Sequence, residues 1–135
     1  MNELTTDLSA LAVISIFTGT IWIPIILNRL IELGPWTVLK NPQPDIRAES
    51  EWAYRLAHAH RNAVENLAIF APLIIIIHIL GLNNSLTASV ATVYVFARIA
   101  HTVIYAVGIP LLRTIAFFVG FICQLMLCLR IFGML

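Results

Sequence analysis

Two short stretches of this chain carry side chains able to do chemistry where a hydrophobic protein has no evident use for them. In "RLAHAHRNAVEN", residues 55–66, Arg55, His58, Arg61, Asn62 and Glu65 follow one another at intervals of three residues, with one step of a single residue from Arg61 to Asn62. Much of this set therefore lies along one helical stripe, with His60 off its centre. In "ARIAHTVIY", residues 97–105, Arg98, His101, Thr102 and Tyr105 repeat the device, and Arg113 follows. The two stripes and Arg113 offer four arginines against one acid, Glu65. Snorkelling to the interface accounts for Arg55 or Arg61 taken singly, and pairing with Glu65 accounts for one arginine. Neither accounts for the surplus. An excess of forked guanidinium donors in a semi-buried place suits an anionic ligand, most simply one with carboxylates. Glu65 would then suit a ligand ammonium, and an anion that also bears an amine describes a peptide or amino-acid derivative.

The elements that must position these groups are membrane helices. The chain has 135 residues, of which 60% are hydrophobic and 11% charged, against about 25% charged in a soluble domain. Ser9–Leu27 and the stretch from Asn66 to Ala97 hold no charge, and about 20 apolar residues suffice to cross a bilayer. A signal peptide would begin with a basic segment, whereas this chain begins "MNELTTDL" with Glu3 and Asp7, so the first apolar run reads as a retained helix. The sequence predicts an all-α, integral membrane four-helix bundle in a single domain over residues 1–135. Its helices are expected at about 8–30, 50–80, 86–107 and 111–132, with Pro24 and Pro72 as kinks and Ser50 opening the second helix. Five of the eight basic residues lie between the first apolar span and the apolar part of the second. The positive-inside rule thus puts the first connection in the cytoplasm and both termini on the other side. No basic cluster speaks for nucleic acid.

At this point the residues resemble the membrane-associated proteins in eicosanoid and glutathione metabolism, the MAPEG family. "AHRNAVENLAIF" at Ala59–Phe70 and "ARIAHTVIYAVGIPLLRT" at Ala97–Thr114 carry the likeness, which extends over nearly the whole chain. What the resemblance implies is a homotrimer among membrane lipids, with glutathione as cosubstrate bound between subunits near the cytoplasmic face. Arg55, His58, Arg61, Asn62 and Glu65 would belong to its binding set, Glu65 toward the amine. Arg98, His101 and Tyr105 would join from the next helix, with Thr114 beside them and Arg29 at the end of the first helix. Arg113 matches the arginine that stabilises the glutathione thiolate, and so would be the catalytic residue. The reaction implied is transfer to, or peroxide reduction of, a lipophilic electrophile. The chain departs from prostaglandin-type members at His58, where they carry arginine, and at Phe117, where some carry tyrosine. The first change implies a weaker or pH-dependent carboxylate contact, the second the loss of a hydroxyl.

Two other function classes fit parts of the pattern. One is a non-catalytic, lipid-binding scaffold of the same family, which the presence of both Arg98 and Arg113 disfavours. The other is a small proton-coupled transporter built on Glu65, disfavoured because neighbouring arginines would hold that carboxylate ionised. The remaining polar residues have plainer readings. Cys123 and Cys128 have no metal-ligand partner near them and read as apolar packing residues, so no metal is expected. His78 reads as interfacial, Trp22, Trp36 and Trp52 as interfacial anchors, and Gln124 as an interhelical hydrogen bonder.

Overall fold

Four apolar helical stretches long enough to cross a bilayer organise the chain. The computed structural model describes residues 4–135; Glu3, read above for its charge, lies outside the described residues. The first stretch is built from α1, Thr6–Thr20, and α2, Trp22–Leu33. A short α3, Pro35–Leu39, follows, then an extended loop, then α4, Glu51–Ile79. Helix α5 spans Ser85–Val107 and α6 spans Pro110–Ile131. Each expected helix is present, with ends displaced by at most three residues. All regular structure among the described residues is helical.

The first span breaks at Ile21, three residues before Pro24. Proline lacks the N–H that would bond the carbonyl four residues earlier, and that carbonyl belongs to Thr20. The proline's effect is therefore a one-residue break in the helix at the place where the hydrogen bond is lost. Ile21 keeps right-handed helical angles, so the chain continues in nearly the same direction. Helix α4, by contrast, runs unbroken through Pro72.

Helix α5 is the centre of the bundle: it packs most extensively against α6, then against α4 and α1. Its inner face buries Val90, Ala91, Tyr94 and Val95 against Phe70, Ile74 and Ile77 of α4 and Leu127 of α6. Tyr94 and Phe70 stack with ring centroids 3.8 Å apart. The start of α5 is capped reciprocally by Asn84 and Thr87, the capping-box arrangement. Asp7 of α1 is buried at the same place. It accepts from the Asn83 amide at 2.5 Å and from the Thr87 hydroxyl at 3.0 Å, so one carboxylate ties the first helix to the third span.

The opposite end is tied differently. Ser50 occupies the N-cap position of α4, as expected, but its side chain makes no capping bond. Its hydroxyl instead bonds Glu32 and Asn28 of α2. Glu32 also accepts from the backbone N–H groups of Glu49 at 2.6 Å and Ser50 at 3.3 Å. An acid from α2 thus stands at the positive end of α4, where a negative charge is favoured. At the other junction Gly108, with φ of 92°, ends α5. A Cβ there would meet the Arg55 guanidinium at 3.2 Å, so both the conformation and the space call for glycine.

Removing the Asp7 carboxylate takes the acceptor from the half-buried Asn83 amide and leaves the buried Thr87 hydroxyl only the Asn84 carbonyl at 3.0 Å, at a cost of about 1–3 kcal/mol. Asp7→Ala is expected to lower the thermal midpoint of the detergent-solubilised protein by several degrees, with Asp7→Asn recovering part of the loss. Scanning calorimetry or intrinsic fluorescence would check it.

Candidate functional site

The polar residues of the two stripes fall into three places. The first lies inside the bundle. Arg98 of α5 is 1% exposed, and its Nη2 donates to the Asn62 side-chain oxygen of α4 at 2.6 Å. No carboxylate partners it; the ion pair among the described residues joins Arg55 to Glu51. Its Nη1 is buried and without a hydrogen-bond partner. Two features of α6 admit the side chain. Gly120 leaves room, since a Cβ there would stand 3.1 Å from the Arg98 Cδ. The Phe117 ring faces the guanidinium at 5.9 Å, close enough for a cation–π attraction.

A column of amides continues below that bond. The Asn66 side chain donates to the Asn62 backbone carbonyl at 2.9 Å. Gln124 of α6 donates to the Asn66 carbonyl at 3.0 Å and approaches the Tyr94 hydroxyl at 3.4 Å. Gln124 is thus the interhelical hydrogen bonder its position suggested. Because Arg98 claims the Asn62 oxygen, the Asn62 amide nitrogen is turned the other way. Asn62 can therefore act toward a ligand as a donor.

The second place is a hollow of about 210 Å³ at the α5–α6 junction, lined by His101, Tyr105, Arg113, Thr114 and Phe117. The Arg113 guanidinium lies 4.3 Å from the Tyr105 ring centroid, so an aromatic face rather than an acid holds it. His101 is buried, with its Nδ1 unpartnered, and packs edge-on to Tyr105 with centroids 5.7 Å apart. The Thr114 hydroxyl donates to the Pro110 carbonyl at 3.0 Å, which leaves its oxygen able to accept. Arg113 and an unpartnered histidine nitrogen thus line this hollow, Arg98 lies behind its Phe117 wall, and the lining holds no carboxylate.

The third place is the outer face of α4. Arg61 and Glu65 are exposed there and make no hydrogen bond or ion pair within the protomer among the described residues. Glu65 is the middle residue of a 29-residue helix, about 21 Å of helix from Glu51 at 1.5 Å per residue. His58 is half-buried beside Tyr54, with rings 4.6 Å apart. Arg55 serves as a tie: its Nε donates to the Ala106 carbonyl at the end of α5, at 3.0 Å, and its Nη1 pairs with Glu51. Arg29 stands apart from all of these, lining a hollow with residues of α3 and the following loop.

Asn66, Gly120 and the orientation of Asn62 were not legible as parts of a site. Asn66 follows Asn62 at helical spacing, which is a signal, but Gly120 among apolar residues carries none. An alanine in place of a helical glycine ordinarily stabilises by about 0.5–1 kcal/mol. Gly120→Ala is expected to give no such gain and to lower the thermal midpoint, because the added methyl crowds a buried arginine anchored at its tip. A thermal unfolding series with Gly19→Ala, where a Cβ meets nothing within 4 Å, supplies the comparison.

The chain matches the MAPEG family over residues 8–133. No curated protein matches it.

Proposed function

The chain belongs to the MAPEG family, a family of multi-pass membrane proteins that includes glutathione transferases, and from that premise we propose that it is a membrane-bound glutathione transferase working as a homotrimer. The observation that carries the proposal is the pair of charges on the outer face of α4. Insertion scales assign about 2.5–3.5 kcal/mol to a charge at the centre of a spanning helix. Arg61 and Glu65 have no partner within the protomer among the described residues, which supports a neighbouring copy and a ligand of matching charge covering them. Three copies around α4 bring the outer face of one subunit to the α5–α6 hollow of the next, with the cavity opening on the cytoplasmic side and both termini opposite.

Glutathione has the chemistry this set lacks: two carboxylates, one ammonium and a thiol. Glu65 pairs with the ammonium. Arg61 and the outward N–H groups of Asn62 take a carboxylate, with His58 alongside and His101 and Tyr105 closing the other wall. Arg98 acts chiefly by fixing Asn62 and by adding positive potential. Arg113 faces the thiol. A free thiol has a pKa of about 8.5 and is only a few per cent ionised at neutral pH. A guanidinium with no carboxylate to neutralise it favours the thiolate, and each unit of depression is worth about 1.36 kcal/mol. The thiol proton passes to water on the cytoplasmic side. The thiolate sulfur attacks an electrophilic carbon of a lipophilic substrate reaching the site from the bilayer. A C–S bond forms as the bond to the substrate's leaving group breaks, and the leaving group departs with its electron pair. Thr114 stands beside Arg113, able to accept from the thiol before the proton leaves.

Calorimetric titration of the detergent-solubilised protein with glutathione, beside conjugation to a generic aromatic electrophile, tests this reading. Saturable binding is expected. Glu65→Ala should weaken it at least tenfold, the scale of a charged hydrogen bond. Arg113→Ala should lower the conjugation rate about 100-fold while leaving binding measurable. Phe117→Tyr should tighten binding by returning a hydroxyl to the hollow. No binding at millimolar glutathione, or a monomer by native mass spectrometry, would overturn the proposal and move the weight to a lipid-binding scaffold.

A further inference from the structure

The column of amides below Arg98 has a direction, and Gln124 sets it. Gln124 of α6 is 5% exposed. Its Nε2 stands 3.0 Å from the Asn66 backbone carbonyl, an acceptor that cannot reverse. The same nitrogen lies 3.5 Å from the Asn66 side-chain oxygen. With a donor facing it, the Asn66 amide must present its oxygen to Gln124 and its nitrogen to Asn62; reversed, two N–H groups would oppose each other. Asn66 Nδ2 accordingly donates to the Asn62 backbone carbonyl at 2.9 Å and lies 3.5 Å from Asn62 Oδ1. The Asn62 oxygen thus has donors on two sides, Asn66 from its own helix and Arg98 from α5 at 2.6 Å. Asn62 itself is half-buried, with its oxygen held from within the bundle.

Stability alone does not call for a glutamine at 124. The Asn66 carbonyl sits inside α4, where the N–H four residues on already supplies a donor. The neighbours Cys123 and Leu127 are buried and apolar, so a methionine would fill the same space. A buried amide is costly unless it is bonded. What it adds is selection of one arrangement, since a joined polar network in a medium of low dielectric holds its members in a single orientation. Gln124 is also too far from the Arg113 hollow to touch a ligand there. Arg113 precedes it by eleven residues on α6, about 16 Å at 1.5 Å per residue.

We infer that Gln124 is a positioning residue for the polar site on α4. Acting through Asn66, it holds the Asn62 amide with the oxygen inward, so that the N–H groups stay presented to an anionic group of the ligand. That this group is a glutathione carboxylate rests on the transferase reading above; the placement of Asn62 does not.

The test is a double-variant cycle on the full chain in detergent, read by glutathione affinity and turnover. Gln124→Met keeps the bulk of the side chain and removes its donor. It should weaken glutathione binding about fivefold, the scale of one lost hydrogen bond, and leave kcat at saturating glutathione within about twofold. Asn62→Asp keeps an acceptor for Arg98 and deletes the N–H donors, so in that background Gln124→Met should cost nothing further. Equal losses in both backgrounds overturn the inference. Leu127→Ala, on the same helix, should lower the thermal midpoint at least as far as Gln124→Met and leave affinity unaltered. A matching loss of affinity there assigns the effect to general loosening and overturns the inference too. A second readout needs no ligand: the side-chain amide signals of protein labelled with 15N-asparagine, with Asn62 assigned by its absence in Asn62→Asp. The Asn62 signal should move in Gln124→Met and stay in place in Leu127→Ala. An Asn62 signal unmoved by Gln124→Met overturns the inference whatever the binding data. Gln124→Asn, which withdraws the donor by one carbon, gives the same readings should Gln124→Met not fold. If the wild-type protein binds no glutathione, the transferase reading falls, and the amide signal alone decides the role of Gln124.

Discussion

A guanidinium group enclosed by three helices without a carboxylate is the constraint around which this bundle is arranged. Arg98 is too costly to bury unless its donors are met, and the protein meets them sparingly. One bond goes to the Asn62 oxygen, and Phe117 lends an aromatic face. That economy explains why α6 carries a glycine at 120, why the Asn62 side-chain oxygen is given to Arg98, and why Asn66 and Gln124 buttress α4 from below. The polar capacity left over lies on Arg98 Nη1 and on His101 Nδ1.

The opposite solution is used on the outer face of α4. There Arg61 and Glu65 are left open rather than enclosed, so the protomer ends in a surface that a hydrocarbon solvent cannot satisfy. Enclosed charge and open charge sit on the same helix a few residues apart: Asn62 belongs to the inside and Arg61 to the outside. This proximity lets one short segment serve both the internal bond to α5 and whatever covers the subunit.

The four spans were legible because bilayer crossing writes itself in long apolar runs, and the turn residues Gly81, Gly108 and Pro110 marked their ends. The stripes were legible because helical spacing survives in sequence. Which way each stripe faces was not, since Arg98 and Arg61 carry identical spacing signals yet one is buried and the other exposed. Contacts between distant parts of the chain were invisible for the same reason. Asp7 meets Thr87 across 80 positions, and Gln124 meets Asn66 across 58; periodicity constrains a helix against itself and says nothing of its neighbour's register. The break at Ile21 and the use of Ser50 were misplaced by local rules that ignored which carbonyl proline orphans and which acid α2 brings near.

The tie between Asp7 and Thr87 gives α5 a fixed zero mark. Arg98 stands eleven residues further along the same unbroken helix, about 16 Å away at 1.5 Å per residue. The helix therefore acts as a ruler that fixes the height of Arg98 above that tie. Hydrocarbon thickness differs by several ångströms between membranes, and the ruler does not stretch to follow it. In a thin membrane Arg98 lies nearer the far water layer, and in a thick one it is drawn toward the hydrocarbon midplane. The depth of the polar interior below the water layer thereby follows from bilayer thickness and this one fixed length.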